Sequence, residues 1–345
     1  MTVSDGLSAT FERIDVEDST QVPTARALAV EVARQLDMPP VTVDRIALAA
    51  TELAQNLYRH ASGGELIVAA SPADDRLVMI AVDRGPGVAH FDRCLVDGYS
   101  TAGTMGTGLG AVQRLAADFD AVSEPDVGTA VSAGFAIRGP APVRARLFDV
   151  GAVGFPIDGE VVNGDTFAVA QHGTRLTVLL ADGLGHGPFA ADASRAAAQQ
   201  LDHIDADPQT VLRRVNDELA TTRGAAVTVA DLDVDVALAG GTMRSSGLGN
   251  VSLLVALPDG TTKRIVTAHG TAGAKRVTRL SQQVNPFPAL GTLVLHTDGL
   301  SSRWDLSGRT ELLRHSSLLV AAVLWRDHVR GTDDSMVVVI KARMP

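Results

Sequence analysis

A single cysteine, Cys94, is present in 345 residues. No internal disulfide can form, which fits a reducing compartment. Nothing near Cys94 in sequence would stabilise a thiolate, so no catalytic role is expected for it. Aromatic residues make up only 4% of the chain, so Ala, Val, Leu and Gly must fill the interior. A basic surplus is also missing: 30 Lys and Arg stand against 40 Asp and Glu, a net charge of −10. That argues against nucleic acid as the main partner, because its phosphates need a basic surface, but it leaves nucleotides open. No apolar run approaches the ~20 residues of a membrane span. The first stretch, MTVSDGLSATFERIDVEDST, has neither a basic n-region nor an apolar h-region. The expectation is a cytoplasmic protein with no membrane partner.

What the chain does have is core material. Hydrophobic residues reach 46%, and the length suits two domains of ordinary size. RGPAPVRARL at 138–147, with two prolines and three arginines, is the best boundary. We therefore expect a first domain over 1–138, a linker at 139–149 and a second domain over 150–345. In the first, strands are expected at 11–16, 65–71, 76–83 and 129–137, and helices at 22–36 and 42–61. A Gly-rich loop at 98–110 leads into a helix reading AVQRLAADF. In the second, TFAVAQHG and RLTVLLAD read as a hairpin about Gly173. Two helices follow, then a run of strands, a helix near 310–326 and a last strand SMVVVIKA. Helices clustered between runs of strands indicate α+β layers, not a regular βαβ alternation.

Three segments of the first domain carry chemistry. In TELAQNLYRHA at 51–61, Leu53, Ala54 and Leu57 can face a core, while Glu52, Asn56 and His60 recur at i, i+4, i+8 on the other face. Such a stripe alone is more often a plain surface face than the wall of a site. In AVDRGPGV at 81–88 a strand ends at Asp83 and breaks into Gly85 and Gly87. In GYSTAGTMGTGLGAV at 98–112, Gly106, Gly108 and Gly110 let backbone N–H groups approach an anion just before a helix. GTGLGA superficially fits a dinucleotide fingerprint, but no strand feeds the turn, and the GK[ST] of a P-loop is absent.

Together these segments resemble the GHKL nucleotide-binding family, across most of 10–137. The E-L-A-Q-N of 52–56 matches its acid-and-Asn box, D-R-G-P-G of 83–87 its DxGxG, and G-T-G-L-G of 106–110 its lid. The resemblance implies a Bergerat α/β sandwich, with helices on one face of a mixed sheet. It implies ATP with Mg²⁺ held by Asn56, adenine read by Asp83 with Gly85 and Gly87, and phosphates wrapped by Gly106, Thr107, Gly108, Leu109 and Gly110. Glu52 would be the general base toward a hydroxyl or water. His60 fits a lid contact or a helix-end imidazole on the dipole equally well. Within the family the segment looks most like the RsbT- and RsbW-like serine kinases of partner switching, leaning toward RsbT.

The second domain repeats a different pattern: aspartates where apolar strands meet loops. These are Asp165 in NGDTF, Asp182 in VLLADGLGHG, Asp298 in LVLHTDGL, and Asp333 and Asp334 in GTDDSMVVVI. One Asp-Gly is ordinary turn chemistry. Four such sites are better explained by carboxylates converging on a hard cation, Mg²⁺ or Mn²⁺. His186 and His296 lie nearby, but no further His/Cys spacing supports zinc, so both are read as supporting or structural. GLGN at 247–250 reads as a hairpin turn in preference to a phosphosubstrate-facing loop, and Arg223 as either a loop or substrate contact or a solvated side chain.

In order and spacing this half resembles PPM-type serine/threonine phosphatases of the compact SpoIIE/RsbX branch, over about 150–345. The implied fold is an αββα sandwich. By motif, Asp182 would bridge two Mn²⁺ or Mg²⁺ ions, with the Gly183 carbonyl on one and Asp298 and Asp333 on the other. Asp165 would act through bound water. The doubled aspartate leaves Asp333 and Asp334 as alternatives, and Ser335 stands where the branch usually has Thr. Both resemblances imply a bifunctional regulator of a bacterial stress-response partner switch: a serine kinase and a phosphatase acting on STAS-domain proteins. The alternative is a non-catalytic ATP-dependent module, binding a STAS protein or a sigma factor, that regulates a fused phosphatase.

Overall fold

A computed structural model describes residues 10–71, 75–91, 95, 108–138, 147–202, 206–235, 240–274 and 280–343. They fall into two compact units, one ending at Arg138 and the other beginning at Leu147. Among the described residues no helix is long and apolar enough to cross a membrane.

The first unit is a five-stranded sheet in the order β1-β2-β3-β5-β4, formed by β1 (Thr10–Val16), β2 (Gly64–Ser71), β3 (Arg76–Val82), β4 (Asp118–Glu124) and β5 (Gly128–Ala136). Every pairing is antiparallel, so the expected mixed sheet is corrected. Helices α1 (Val22–Gln35) and α2 (Pro40–His60) pack on each other and on the sheet, and α3 (Gly108–Leu115) packs on α2. The Gln21 side chain accepts from the Glu17 and Asp18 N–H groups (2.7 and 2.8 Å), shaping the entry to α1. The helix ends where Asp37 turns left-handed (φ 53°), and Pro39 and Pro40 then start α2.

On α2, Ile46, Ala50, Leu53, Ala54 and Leu57 are buried at helical spacing. The alanines let α1 approach closely, and each buried leucine contributes roughly 1.5–3 kcal/mol. The same spacing turns Glu52 and Asn56 to the other side. The strand β4 falls where helix was expected: α3 stops at Leu115, and DFDAVSE pairs with β5 instead of extending it.

The second unit has two five-stranded sheets. One runs β13-β10-β9-β8-β7 and the other β12-β11-β14-β15-β6. The strands of the first are β7 (Asp165–His172), β8 (Arg175–Gly183), β9 (Ala225–Asp235), β10 (Gly240–Leu248) and β13 (Gln283–Phe287). Those of the second are β6 (Phe148–Phe155), β11 (Ser252–Ala256), β12 (Thr262–Ile265), β14 (Thr292–His296) and β15 (Ser335–Ala342). Helices α4 (Pro188–Gln199) and α5 (Pro208–Glu218) cover the first sheet, and α6 (Ser317–His328) covers the second, which makes an αββα arrangement.

The β7–β8 hairpin turns at Gly173 (φ 59°) and sets Asp165 directly opposite Asp182. Helix α6 begins later than expected. The Ser316 hydroxyl accepts from the Leu319 N–H, and the residues before it form turns and a short 3₁₀ segment at Leu312–Arg314. Strands β6 and β13 were not anticipated. In β6, a Cβ on Gly151 would sit 2.1 Å from the Leu318 backbone nitrogen, so glycine is what lets α6 lie on the sheet.

Candidate active sites

In the first unit the site is built mostly from backbone. Helix α2 presents Glu52 and Asn56 to the first residue of α3. A Cβ on Gly108 would lie 3.0 Å from Glu52 Oε2 and 3.5 Å from Asn56 Oδ1. The absent side chain therefore leaves a space bounded by an acid, an amide and a helix N-terminus. Among the described residues Asn56 Nδ2 is buried without a hydrogen-bond partner, and a half-turn of the amide plane would offer the oxygen instead. Asp83 shapes the next wall: its Oδ1 accepts from the Gly85 N–H (2.8 Å) and the Thr129 N–H (3.1 Å). Gly87 has φ 61°, and a Cβ there would meet the Glu124 carbonyl oxygen at 2.1 Å, so only glycine fits.

Gly110 is buried at the start of α3, and Leu109 packs partly against the core. Gly106 and Thr107 lie outside the described residues, as does Cys94. His60 is exposed near the end of α2, in the last helical turn with Arg59.

In the second unit the site is built from charge. Asp165 opens β7 and Asp182 lies near the end of β8, while Asp298 follows β14, and Asp333 and Asp334 precede β15. The carboxylates thus come from both sheets. Asp165 is buried, accepts from Thr297, and among the described residues its Oδ2 has no hydrogen-bond partner. Burial first, and then the charges of Asp182, Asp334 and Asp333, hold its carboxyl well above the usual range. Burial, then the charges of Asp298, Asp333 and Asp334, push Asp182 up to about 7. Asp298 is raised by burial and by Asp333, against Arg330 and a 2.6 Å hydrogen bond from Asn250 Nδ2.

The two neighbouring aspartates differ. Asp334 is buried, and its two oxygens accept from the Ile157 and Gly164 N–H groups, both at 2.8 Å, clamping the β6–β7 loop to β15. Asp333 is half-buried, accepts from the Asp334 N–H, and faces Asp182 and Asp298 electrostatically.

Among the described residues no three of His, Cys, Asp and Glu are already drawn together tightly enough to hold a metal ion. The donor set nevertheless fits one. It is all oxygen, mutually repelling, and contains a buried oxygen with no partner, which is what a hard divalent cation relieves. Gly183 sits tight against α4, where a Cβ would be 2.1 Å from the Ala190 carbonyl oxygen. His296 is fully buried, and burial lowers it to about 4, so the ring is neutral. Its Nδ1 donates to the Thr297 carbonyl (2.8 Å). His186 is a half-exposed partner of Glu160, at 2.7 Å.

Sequence reasoning missed Asn250 and Asn163. The GLGN segment does turn, at Gly249 (φ 95°), but its last residue reaches Asp298. Asn163 accepts from the Asp165 N–H (2.9 Å) and donates to the Ser335 carbonyl (3.2 Å), joining the two strand ends. A polar residue two positions before a site aspartate was the available signal. Ser335, where Thr was expected, accepts from Trp325 Nε1 (3.1 Å) and donates to the Phe155 carbonyl (3.2 Å), a role within the core.

Comparison with known proteins follows the same division. Residues 16–135 match the model of the histidine kinase-like ATPase domain, and residues 172–343 match that of stage II sporulation protein E. The serine/threonine-protein kinase RsbT of Bacillus subtilis is 36% identical over 114 residues, which are 32% of this chain and 86% of RsbT. Among solved structures, a chain from the bacterial stressosome, described as a modular system adapted to control secondary messenger signalling, is 21% identical with a TM-score of 0.51. It is matched over 100% of its length and 56% of this chain. RsbX in complex with magnesium is 18% identical with a TM-score of 0.50, over 98% of its length and 58% of this chain. These two structures establish the fold. Through its first unit the chain belongs to the RsbT serine/threonine-protein kinase family, a histidine kinase-like ATPase domain, and it joins to that a SpoIIE-type domain.

Proposed function

We propose that the chain is a bifunctional switch enzyme of a partner-switching pathway, in which domain 1–138 phosphorylates and domain 150–345 dephosphorylates serine or threonine on STAS-domain proteins. The observation that carries this reading is that two separate motif sets each fold to one place. Glu52, Asn56 and Gly108 gather at the start of α3, and carboxylates from two sheets gather around Asp165 and Asp182. RsbT, named as a kinase, and RsbX, solved with magnesium, support the two halves in turn.

In the kinase half, Asn56 is placed to hold Mg²⁺ on the nucleotide phosphates. The first residues of α3, Gly108 to Gly110, would lie against those phosphates, with Gly106 and Thr107, outside the described residues, completing the loop by motif, and Asp83, braced by the Gly85 and Thr129 N–H groups, would read the base. Glu52 takes the proton of the attacking hydroxyl. In the phosphatase half, Asp182, Gly183, Asp298 and Asp333 would hold Mn²⁺ or Mg²⁺, and Asp334 acts as the clamp behind them. Bound there, such ions supply a water acidic enough to attack at neutral pH and a counter-charge for the phosphoryl group. Asp165 orients and holds a proton at its buried carboxyl, and Asn250 keeps Asp298 turned to the site.

The test is single-turnover transfer from γ-labelled ATP to a purified STAS protein, comparing wild type with Asp182→Asn. Label that accumulates on the STAS protein in the variant and not in wild type supports both activities. No label in either, with ATP still bound, leaves an ATP-controlled binding module and removes the kinase.

A further inference from the structure

The acidic site has a rim that none of these roles uses. Arg223 sits at the turn entering β9, and its guanidinium lies 5.0 Å from the centre of the Phe189 ring. Phe189, in the first turn of α4, is 66% exposed, and Leu184, two residues beyond Asp182, is 50% exposed. The turn is tied to the loop that carries the acidic site. The Leu184 N–H donates to the Gly224 carbonyl (3.0 Å), and the Cβ position of Gly185 is 3.4 Å from Arg223 Nη1. Gly185 is three residues beyond Asp182 and has φ 82°, so a side chain there would be strained as well as crowding the guanidinium.

Charge selects the ligand. Arg330 already faces Asp298. Arg223 is exposed and makes no ion pair among the described residues; its recorded contact is the Phe189 ring. A guanidinium carbon 5.0 Å from the ring centre is at cation–π distance, a contact that anchors the group while its N–H donors remain able to pair with two oxygens of one phosphate. A phosphoserine dianion approaching a site lined with carboxylates needs such a cation at the entrance.

We propose that Arg223, anchored over the Phe189 ring, is the substrate-phosphate seat of the second unit and a determinant of its preference for phosphorylated side chains. This rests on the phosphatase reading above. It assigns Arg223 a binding role, with no bond made or broken by it.

The experiment uses the full chain with Mn²⁺, p-nitrophenyl phosphate and an alanine-flanked phosphoserine peptide. Losing a bidentate charged contact made equally before and during reaction raises KM and spares kcat. For Arg223→Ala the expected rise in KM is roughly 10- to 100-fold on both substrates, with kcat changed by less than about threefold. Arg223→Lys keeps the charge without the fork or the stack and recovers only part of the loss. Phe189→Leu raises KM by only a few-fold. Unchanged KM in Arg223→Ala, or a fall in kcat alone, overturns the proposal.

A second readout is independent of turnover: the ³¹P line width of inorganic phosphate with the Mn²⁺-free, Mg²⁺-loaded full chain. Broadening by wild type that is lost in Arg223→Ala supports the seat. Equal broadening by both proteins, or none by wild type, overturns it. Absence of turnover in wild type would remove the phosphatase reading, while the line width would still decide the role of Arg223.

Discussion

The two sites solve opposite problems. The first holds few charges and is shaped by what is missing: the side chains absent at Gly87 and Gly108 and the partner absent at Asn56 Nδ2. The second is crowded with like charges that burial makes worse. A site shaped by backbone takes its charge from the ligand, so its weak points are steric. A site made of repelling carboxylates takes its counter-charge from a cation, so its weak points are electrostatic. Substitutions that separate shape from charge should therefore affect one unit and spare the other.

The largest expected effect is on chemistry in the first unit. Glu52→Gln keeps the size and hydrogen bonding of the side chain and removes its basicity. Phosphotransfer should fall roughly 10²- to 10⁴-fold, the usual worth of a positioned base, while ATP affinity stays within a few-fold. Equal transfer by wild type and Glu52→Gln, in the single-turnover assay, would assign the base elsewhere. The steric counterpart is Gly87→Ala. Its Cβ would meet the Glu124 carbonyl oxygen at 2.1 Å with φ at 61°, a cost of roughly 3 kcal/mol. The unfolding transition of the first unit should move down and that of the second should not. Calorimetry on the full chain reads both.

How much of this contrast was legible in the sequence differs by element. Alternation in ELIVAAS and RLVMIAV and the helical spacing of Leu53, Ala54 and Leu57 placed β2, β3 and α2 to within a few residues. That these aspartates come near one another was legible because each punctuates an apolar strand. The strand β4 was hidden because DFDAVSE buries only Val122 fully and continues a helical run. In β6, glycine replaces the side chains that would have announced a strand, because α6 needs that space. In β13, Pro286 reads as a breaker, yet the strand is at the edge of its sheet, where a missing N–H is tolerated. Asn250 was not legible as a site residue, since only the fold brings it to Asp298 across 48 positions, whereas Asn163 stands two positions before Asp165 and its local hydrogen bond was open to a reading of the sequence.

The doubled aspartate sharpens the contrast within the second unit. In Asp334→Asn one acceptor becomes a donor facing a backbone N–H, so stability should drop by about 1–3 kcal/mol. Asp333→Asn removes a charge that faces Asp182 and Asp298, so cation affinity should fall with little change in unfolding. Denaturant titration and calorimetric metal titration of both variants decide this; the reverse pattern would exchange their roles. Asn250→Ala frees Asp298 from its 2.6 Å hydrogen bond and should weaken cation binding by roughly 10- to 100-fold, as loss of a partner behind a metal ligand does.

The smallest effect per step comes from pH, and its sign follows from Asp182. Burial, then the charges of Asp298, Asp333 and Asp334, raise its carboxyl to about 7. Without a cation, the folded protein keeps a proton there that the unfolded chain releases near pH ~4. The ion-free second unit therefore loses stability as pH rises from about 4 to about 7 and is not stabilised by alkali. A cation requires the bare carboxylate, so binding expels the proton, and below about pH 7 affinity should weaken by up to about tenfold per unit for one proton. Asp165, raised in the same direction, keeps its proton in this reading and adds no second one to the count. Metal titrations at pH 6 and pH 8, in buffers of different ionisation enthalpy, count the protons directly. A flat affinity with no proton release would mean that these carboxylates do not hold the cation. The nucleotide site, formed largely by glycine and backbone, provides the comparison measured on the same protein in the same buffers.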